Sequence, residues 1–590
     1  IKSFENPKVS YRYSSITANF KKIPGSPIAY WAGDNIFKWF KEYEAIGKKV
    51  EFRKGMGTGN NERFVRCWYE VDFNLIGFDF SSSKEAQVSK KKWFPYNNGG
   101  PFRKWYGNNN DVTNWENDGK EVKKNATLLN NGGHWSRYIA STSKFFYPGI
   151  TWTAISSDRF SVRYFGKGYL FSSASMCGFG SDKDLLIIGA LLNSNTSKIF
   201  LDIVSPTLNY GPRQIKKIPF SNKGYEVNLD IIKQNVKMSK TDWDSFETSW
   251  DFQKHPLLTN KNNATSIEQA YNNWSYFTEA QFNQLKQNEE ELNRIFIEIY
   301  GLQDELTPEV EDKDITIRKA DREREIKSFI SYGVGCMFGR YSLDKEGLIY
   351  AGGDFNKQFR LENGTWQINT GDAWIPSSIE IAKNNIIPIA DGDYFKDDIL
   401  ERFIAFVKTS FGAETLEENL NFIAETLGMK TTETPRQAIR RYFLKDFYKD
   451  HVRIYKKRPI YWLFDSGKEN GFKALIYLHR YDPFTVARVR ADYLHKQQKK
   501  YEGEINHLDI LMDSNISDRE KAKARKRKEQ ILKQLKECRI YDQAIAHVAN
   551  RKIDLDLDDG VKVNYAKFQA VEIPQEAGKK PLKADLLAKI

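Results

Sequence analysis

Between Lys90 and Asn108 the chain reads Lys-Lys-Lys-Trp-Phe-Pro-Tyr-Asn-Asn-Gly-Gly-Pro-Phe-Arg-Lys-Trp-Tyr-Gly-Asn. Cations, flat rings, amides and backbone-exposing glycines alternate here, the mixture needed to hold phosphates and to touch bases. Lys91, Lys92, Arg103, Lys104 and Asn108 are the first candidates for such contacts. Arg137, Arg159, Arg163 and Lys167 extend the set, as do Arg213 and Lys216, where turn-terminal amides would add to anion binding. For each cation alone the competing reading is a solvated surface charge, and for Trp93, Trp105 and Tyr106 it is core packing.

Other chemistry is thinner. Gly55-Met56-Gly57-Thr58-Gly59-Asn60 has the glycines of a phosphate loop, but no strand–turn–helix pattern surrounds it, and a turn is the better reading. No Walker loop, HExxH or GxSxG occurs, and the seven histidines are scattered. Asp482-Pro483-Phe484 approaches, without matching, the tetrapeptide with which amino-methyltransferases hold a flipped base. Asp391 and Asp393 read as a turn and not as a nuclease metal cluster. Cys67, Cys177, Cys336 and Cys538 form no CxxC pair, which argues against structural zinc and disulfides and fits a reducing cytoplasm. No apolar run is long enough to span a membrane.

The elements that must position these residues change character along the chain. Residues 1–220 hold 32 Lys and Arg against 18 Asp and Glu, whereas 221–590 hold 58 against 59. A basic surface confined to one segment points to a polyanionic partner. Trp31–Tyr43 has helical spacing. Residues 56–220 look mainly like short strands and loops, with Thr151–Ile155 and Phe160–Phe171 as strands and one helix over Asp182–Ile203. Helical patterns follow over Ser266–Tyr300, Asp398–Phe411 and Leu416–Leu427. Thr485–Met512 and Asp518–Asn550 form two long helices joined by a short polar turn, with Ser517 and Glu520 at capping-box spacing. They are expected to make an antiparallel hairpin that projects as an arm from the C-terminal module and folds independently of the recognition domain, with Val486, Val489 and Tyr493 pairing against Ile531, Leu532 and Leu535. Its basic run, Lys521–Lys528, is expected to lie mostly in solvent. The fold class is α+β and multidomain: a mixed α/β portion, then mainly helical domains ending in the long hairpin.

Several segments in order, including Gly55–Val71, Trp93–Asn108, 206–220, Asp242–Leu258, Gly335–Leu343, Ile386–Ile399 and Leu557–Phe568, make the chain resemble the C-terminal portion of the adenine-specific DNA methyltransferases of BREX phage-defence systems, the PglX type. These are relatives of the type IIG/IIL restriction–modification enzymes. The resemblance implies that 1–55 is the tail of a methyltransferase domain and 56–225 the target-recognition domain. It makes 226–330 a helical spacer, 331–480 a C-terminal domain, and 481–590 the hairpin and C-terminal segment. It implies double-stranded DNA as partner, a cytoplasmic location and S-adenosylmethionine as cofactor of the whole enzyme. The cofactor and NPPY-type motifs of the family precede these segments, so this chain, which opens like mid-protein sequence, is expected to bind no cofactor by itself. Two alternatives stand beside this reading: part of a restriction–modification enzyme, or a non-catalytic adaptor docking other defence proteins.

Overall fold

Short runs of β-branched and aromatic residues between Gly, Asn and Ser turns give the first part of the chain its strands. A computed structural model describes residues 17–24, 26, 28, 34–155, 159–205, 207–575 and 580–590. Most of the expected tail's first half, and Trp31–Gly33 of the expected aromatic helix, lie outside the described residues; the helix itself runs over Asp34–Glu42. The chain forms two compact units. The first combines 1–65, 76–243 and 279–318, and the second combines 66–75, 244–278 and 319–590.

In the first unit Glu51–Arg53, Ser175–Phe179, Gly149–Thr153 and Arg163–Phe165 form an antiparallel sheet in that order. A second sheet contains Asp111–Asn114 antiparallel to Trp93–Asn97, with Leu170–Phe171 parallel on the other side. The core joins Ile150 and Trp152 of the first sheet to Ile187, Leu191 and Phe200 and to Leu285 and Phe296 of the long helix Ile267–Tyr300. The single helix expected over Asp182–Ile203 is two, Asp182–Asn193 and Asn195–Val204, with Ser194 extended between them. The break has a specific cause. The Asn193 amide accepts from Val162 N at 2.8 Å and donates to Val162 O at 3.0 Å, while Asn195 N donates to Asn293 Oδ1 at 2.9 Å. Asn and Ser side chains compete with helical backbone bonds in this way.

The second unit is built on Ile386–Pro388, Lys473–Tyr477 and Tyr461–Asp465, an antiparallel sheet with Lys473–Tyr477 central. Helices Arg322–Phe338, Ile399–Phe411, Leu416–Thr426 and Pro435–Lys445 belong to the same unit. Three histidines are buried in it and held neutral. Burial pushes His255, His451 and His479 down to about 3, with the Arg340 cation adding to the shift of the latter two. His451 Nε2 accepts from Ile460 N and Tyr461 N at 3.1 and 3.0 Å, and His255 Nδ1 accepts from Leu257 N at 3.2 Å.

The hairpin is present, helical from Thr485 to Asp513 with a wide turn over Val489–Leu494, then from Asp518 to Arg551, and Ser517 and Glu520 make the reciprocal cap. It is not a projecting arm: its core is that of the second unit. Ile531, Leu535 and Cys538 share one apolar core with Trp462, Phe472 and Ile476, and Gln534 and Glu537 bond the 466–471 turn. The pairs Arg490–Asp542 at 2.8 Å and Arg539–Glu502 at 3.0 Å set Val489 near residues 541–545, so the expected partners 531–535 pair elsewhere and Leu532 is exposed. Within the basic run Lys523, Arg525 and Lys526 are exposed, while Arg527 pairs with Asp391 and Glu504 and Lys528 with Asp509. About half of the chain is helical and 13% is strand, distributed over several small sheets, which makes the fold α+β.

Candidate nucleic-acid interface

The aromatic–cationic segment 90–108 is largely interior. Trp93–Asn97 is buried at every position, and Trp105 is equally buried. Arg103 lies in the core with each terminal nitrogen engaged. Nε donates to Tyr106 O at 2.7 Å, Nη1 to Thr316 O at 3.0 Å, and Nη2 to Ser239 O at 3.1 Å and Asp242 Oδ2 at 2.8 Å. Burial by itself would raise the Asp242 carboxyl, but Arg318 and Arg103 outweigh it and hold it below the ordinary carboxylate range. Lys104 Nζ and Trp105 Nε1 donate to the two oxygens of Glu289 at 2.6 and 2.7 Å. Arg163 is buried beside them, donating to Arg103 O at 3.5 Å, and burial pushes it down to about 10. Arg103, Lys104 and Arg163 are thus corrected from DNA contacts to interior residues. A strand buried on both faces and a base-stacking surface use the same alternation of rings and cations, and the carboxylates that claim these cations lie more than a hundred residues further on.

The remaining candidates stay at or near the surface but do not converge. Lys91 and Lys92 are half-buried in the turn before Trp93, with the Lys92 ammonium 5.8 Å from the Trp93 ring. Asn108 has φ 63 and donates to Pro101 O at 3.0 Å, closing its own loop. Arg159 is exposed and paired with Asp314. Lys167 is exposed in the turn after Phe165, and Arg213 and Lys216 are exposed on the one-turn helix Pro212–Ile215 and its C-terminal cap.

Arg137 lies in a segment tied by hydrogen bonds to a neighbouring helix end and to the glycine-rich turn. Helix Glu116–Leu129 carries Lys120 and Lys124 in solvent one turn apart. Between them Lys123 is spent internally, paired with Asp118 at 2.5 Å and lying 5.3 and 4.9 Å from the Trp115 and Trp135 rings. The helix ends in Asn130–Gly133, a loop in which Asn131 and Gly132 are left-handed. The loop folds back through Asn130 Nδ2 to His134 O at 3.0 Å and Arg137 Nη1 to Asn130 Oδ1 at 3.2 Å. The glycine-rich segment docks onto it: Asn125 Nδ2 donates to Thr58 O at 2.9 Å, Gly57 N to Tyr138 O at 2.8 Å and Ser141 Oγ to Lys54 O at 2.9 Å. One rim therefore presents Lys54, Lys120, Lys124 and Arg137 with Asn131, His134 and the exposed Leu128. Cations of this kind position phosphates, amide and imidazole edges hydrogen-bond bases, and a leucine meets a thymine methyl. The sequence signal for it was the lysine triplet running into Asn-Asn-Gly-Gly-His.

The chain is 44% identical over 577 residues to the adenine-specific methyltransferase PglX of Lacticaseibacillus casei (strain Zhang), a match covering 96% of this chain and 46% of that protein. It is 37% identical over 582 residues to the adenine-specific methyltransferase BrxX of Escherichia coli O9:H4 (strain HS), covering 94% and 45%. Along nearly its whole length the chain is similar to the PglX-type methyltransferases. It spans about half the length of the curated relatives it matches. No family model matches it.

The glycine-rich segment does not fit the S-adenosylmethionine that a PglX-type methyltransferase implies. Its amides are used by the protein, Met56 N by Phe171 O at 3.0 Å and Gly57 N by Tyr138 O, and any side chain at Gly55 would collide with the Phe171 carbonyl. Close backbone packing explains that glycine. Asp391 and Asp393 are committed to Arg527 and Arg440. Among the described residues no group of three or more His, Cys, Asp or Glu could hold a metal ion, and no helix is long and apolar enough to cross a membrane.

Proposed function

We propose that this chain is the target-recognition and clamping portion of a site-specific adenine-N6 DNA methyltransferase acting in anti-phage defence, and that the 116–138 rim of its first unit meets duplex DNA. The observation that carries the reading is that Lys120, Lys124 and Arg137 are exposed on the helix and loop to which the 54–60 segment is hydrogen-bonded. The names of its relatives support the chemistry of the whole enzyme, in which S-adenosylmethionine would supply the methyl group. The residues of this chain bind and orient the duplex. Lysine and arginine fix register on the backbone, and the left-handed Asn131–Gly132 turn carries its neighbours toward a groove.

Reversing Lys120, Lys124 and Arg137 to Glu should weaken all duplex sequences together. Each lost phosphate contact should flatten the log–log salt dependence by about 0.9, so the triple variant should lose about 2–3 units of slope. Fluorescence anisotropy across a salt series measures this. Unchanged slope and affinity would remove the rim from the interface. Replacing Asn131 or His134 should instead change the preference among sequences with little change in slope.

A further inference from the structure

The second unit carries a cationic groove of its own. Lys396, Lys496, Lys499 and Lys500 line an open depression of about 330 Å³ together with Tyr394, Phe395 and a single acidic residue, Asp397. Lys496, Lys499 and Lys500 are three and four residues apart on helix His495–Asp513 and so share a face. All four lysines are exposed, and none forms an ion pair among the described residues. Asp492 lies one turn before Lys496, whereas three other carboxylates nearby have partners. Asp397 pairs with Arg402 at 3.7 Å and accepts from the Tyr493 hydroxyl at 3.4 Å, Glu504 pairs with Arg527 at 2.9 Å, and Glu502 with Arg539 at 3.0 Å. Like charges one helical turn apart are unfavourable. A groove that gathers four of them while these carboxylates are committed to arginines is suited to an anion from outside. Phe395, half-buried and 5.7 Å from the Tyr493 ring, sets an aromatic surface among the lysines.

We propose that this groove binds the phosphate backbone of nucleic acid, with Phe395 as a flat, sequence-tolerant contact for a base or sugar. Lysines flanking a ring are the arrangement by which strands are held without sequence preference. An acidic polypeptide would satisfy the lysines but gain little from the ring, which is why nucleic acid is favoured. The inference rests on the reading that the chain acts on DNA and adds a second contact, in the other unit.

The test uses the full 590-residue chain with Lys396→Gln, Lys496→Gln, Lys499→Gln and Lys500→Gln combined. Anisotropy against a labelled duplex and a labelled single strand is read across a salt series, with poly-glutamate as a second probe. Affinity at low salt should fall about tenfold or more, and the salt slope should shrink by about 2 or more, at roughly 0.7–0.9 per phosphate. Phe395→Ala should weaken the single strand more than the duplex. Unchanged affinity and slope for both nucleic acids in a variant with an unaltered melting curve would overturn the proposal, as would loss of poly-glutamate binding alone. If the first-unit charge reversal leaves binding intact while this variant weakens it, the rim reading fails and the groove stands. The opposite pattern removes the groove and keeps the rim.

Discussion

At the scale of single residues, the same side-chain type serves opposite purposes according to what closes around it. Arg103 and Arg137 are both guanidiniums in the basic third, yet one is enclosed by Asp242 and backbone carbonyls and the other stands exposed with a single amide contact. Asp242→Asn would leave Arg103 and Arg318 without their shared carboxylate. The expected cost is about 3 kcal/mol or more, read by chemical denaturation, because removing one partner strands buried charge. Asp242 is held below its unfolded value, so its contribution is present above about pH 4 and is lost as pH falls through the lower folded value. A variant as stable as the parent at neutral pH would show that the pair is dispensable. Arg137→Glu should leave stability within about 0.5 kcal/mol, as surface changes usually do. Composition marked both residues as candidates; only the long-range partner, invisible to local pattern, separates them.

Elements were more legible than their junctions. The 3.6-residue period and the Ser517–Glu520 signature gave the hairpin helices and the start of the second one. They did not give the register, because both helices carry apolar residues on more than one face, and the strand core that claims Ile531 and Cys538 is formed by residues 461–477. Ile531→Ala should therefore cost about 2–4 kcal/mol, whereas Leu532→Ala should cost under about 1 kcal/mol, measured as shifts in denaturation midpoint. Equal costs would restore the free-arm reading. The Asp182–Val204 break was missed for a related reason: its cause, the Asn193 bond to the Val162 backbone, bridges distant positions.

Across the whole molecule, the fold moderates the charge that the sequence concentrates. Residues 279–318 hold 11 Asp and Glu against 4 Lys and Arg and belong to the same unit as the basic third, supplying Glu289 to Lys104 and Asp314 to Arg159. The two units also differ in how they should meet acid. Folding keeps His255, His451 and His479 neutral, whereas the unfolded chain protonates them near pH 6.5. Their contribution is complete above about pH 6.5 and is lost as pH falls toward 3, with a combined slope on the order of 4 kcal/mol per pH unit in the fully buried limit. The first unit contains His134 as its one histidine, and that is exposed. Hydrogen exchange at Leu257, Ile460 and Tyr461 should lose protection between pH 7 and 5 faster than exchange at Ile150 and Trp152. Equal pH dependence at both sets would contradict the assignment.

The interleaving of the units along the chain constrains how segments can be exchanged between relatives. A recombination event or a designed chimera that transplants 76–243 alone would carry Lys104 and Trp105 away from the Glu289 they share, and Arg103 away from the Thr316 carbonyl. The unit is therefore discontinuous: 76–243 should travel successfully only with matched 1–65 and 279–318, and crossovers should be tolerated at 65/66, 75/76, 243/244, 278/279 and 318/319 only as a set.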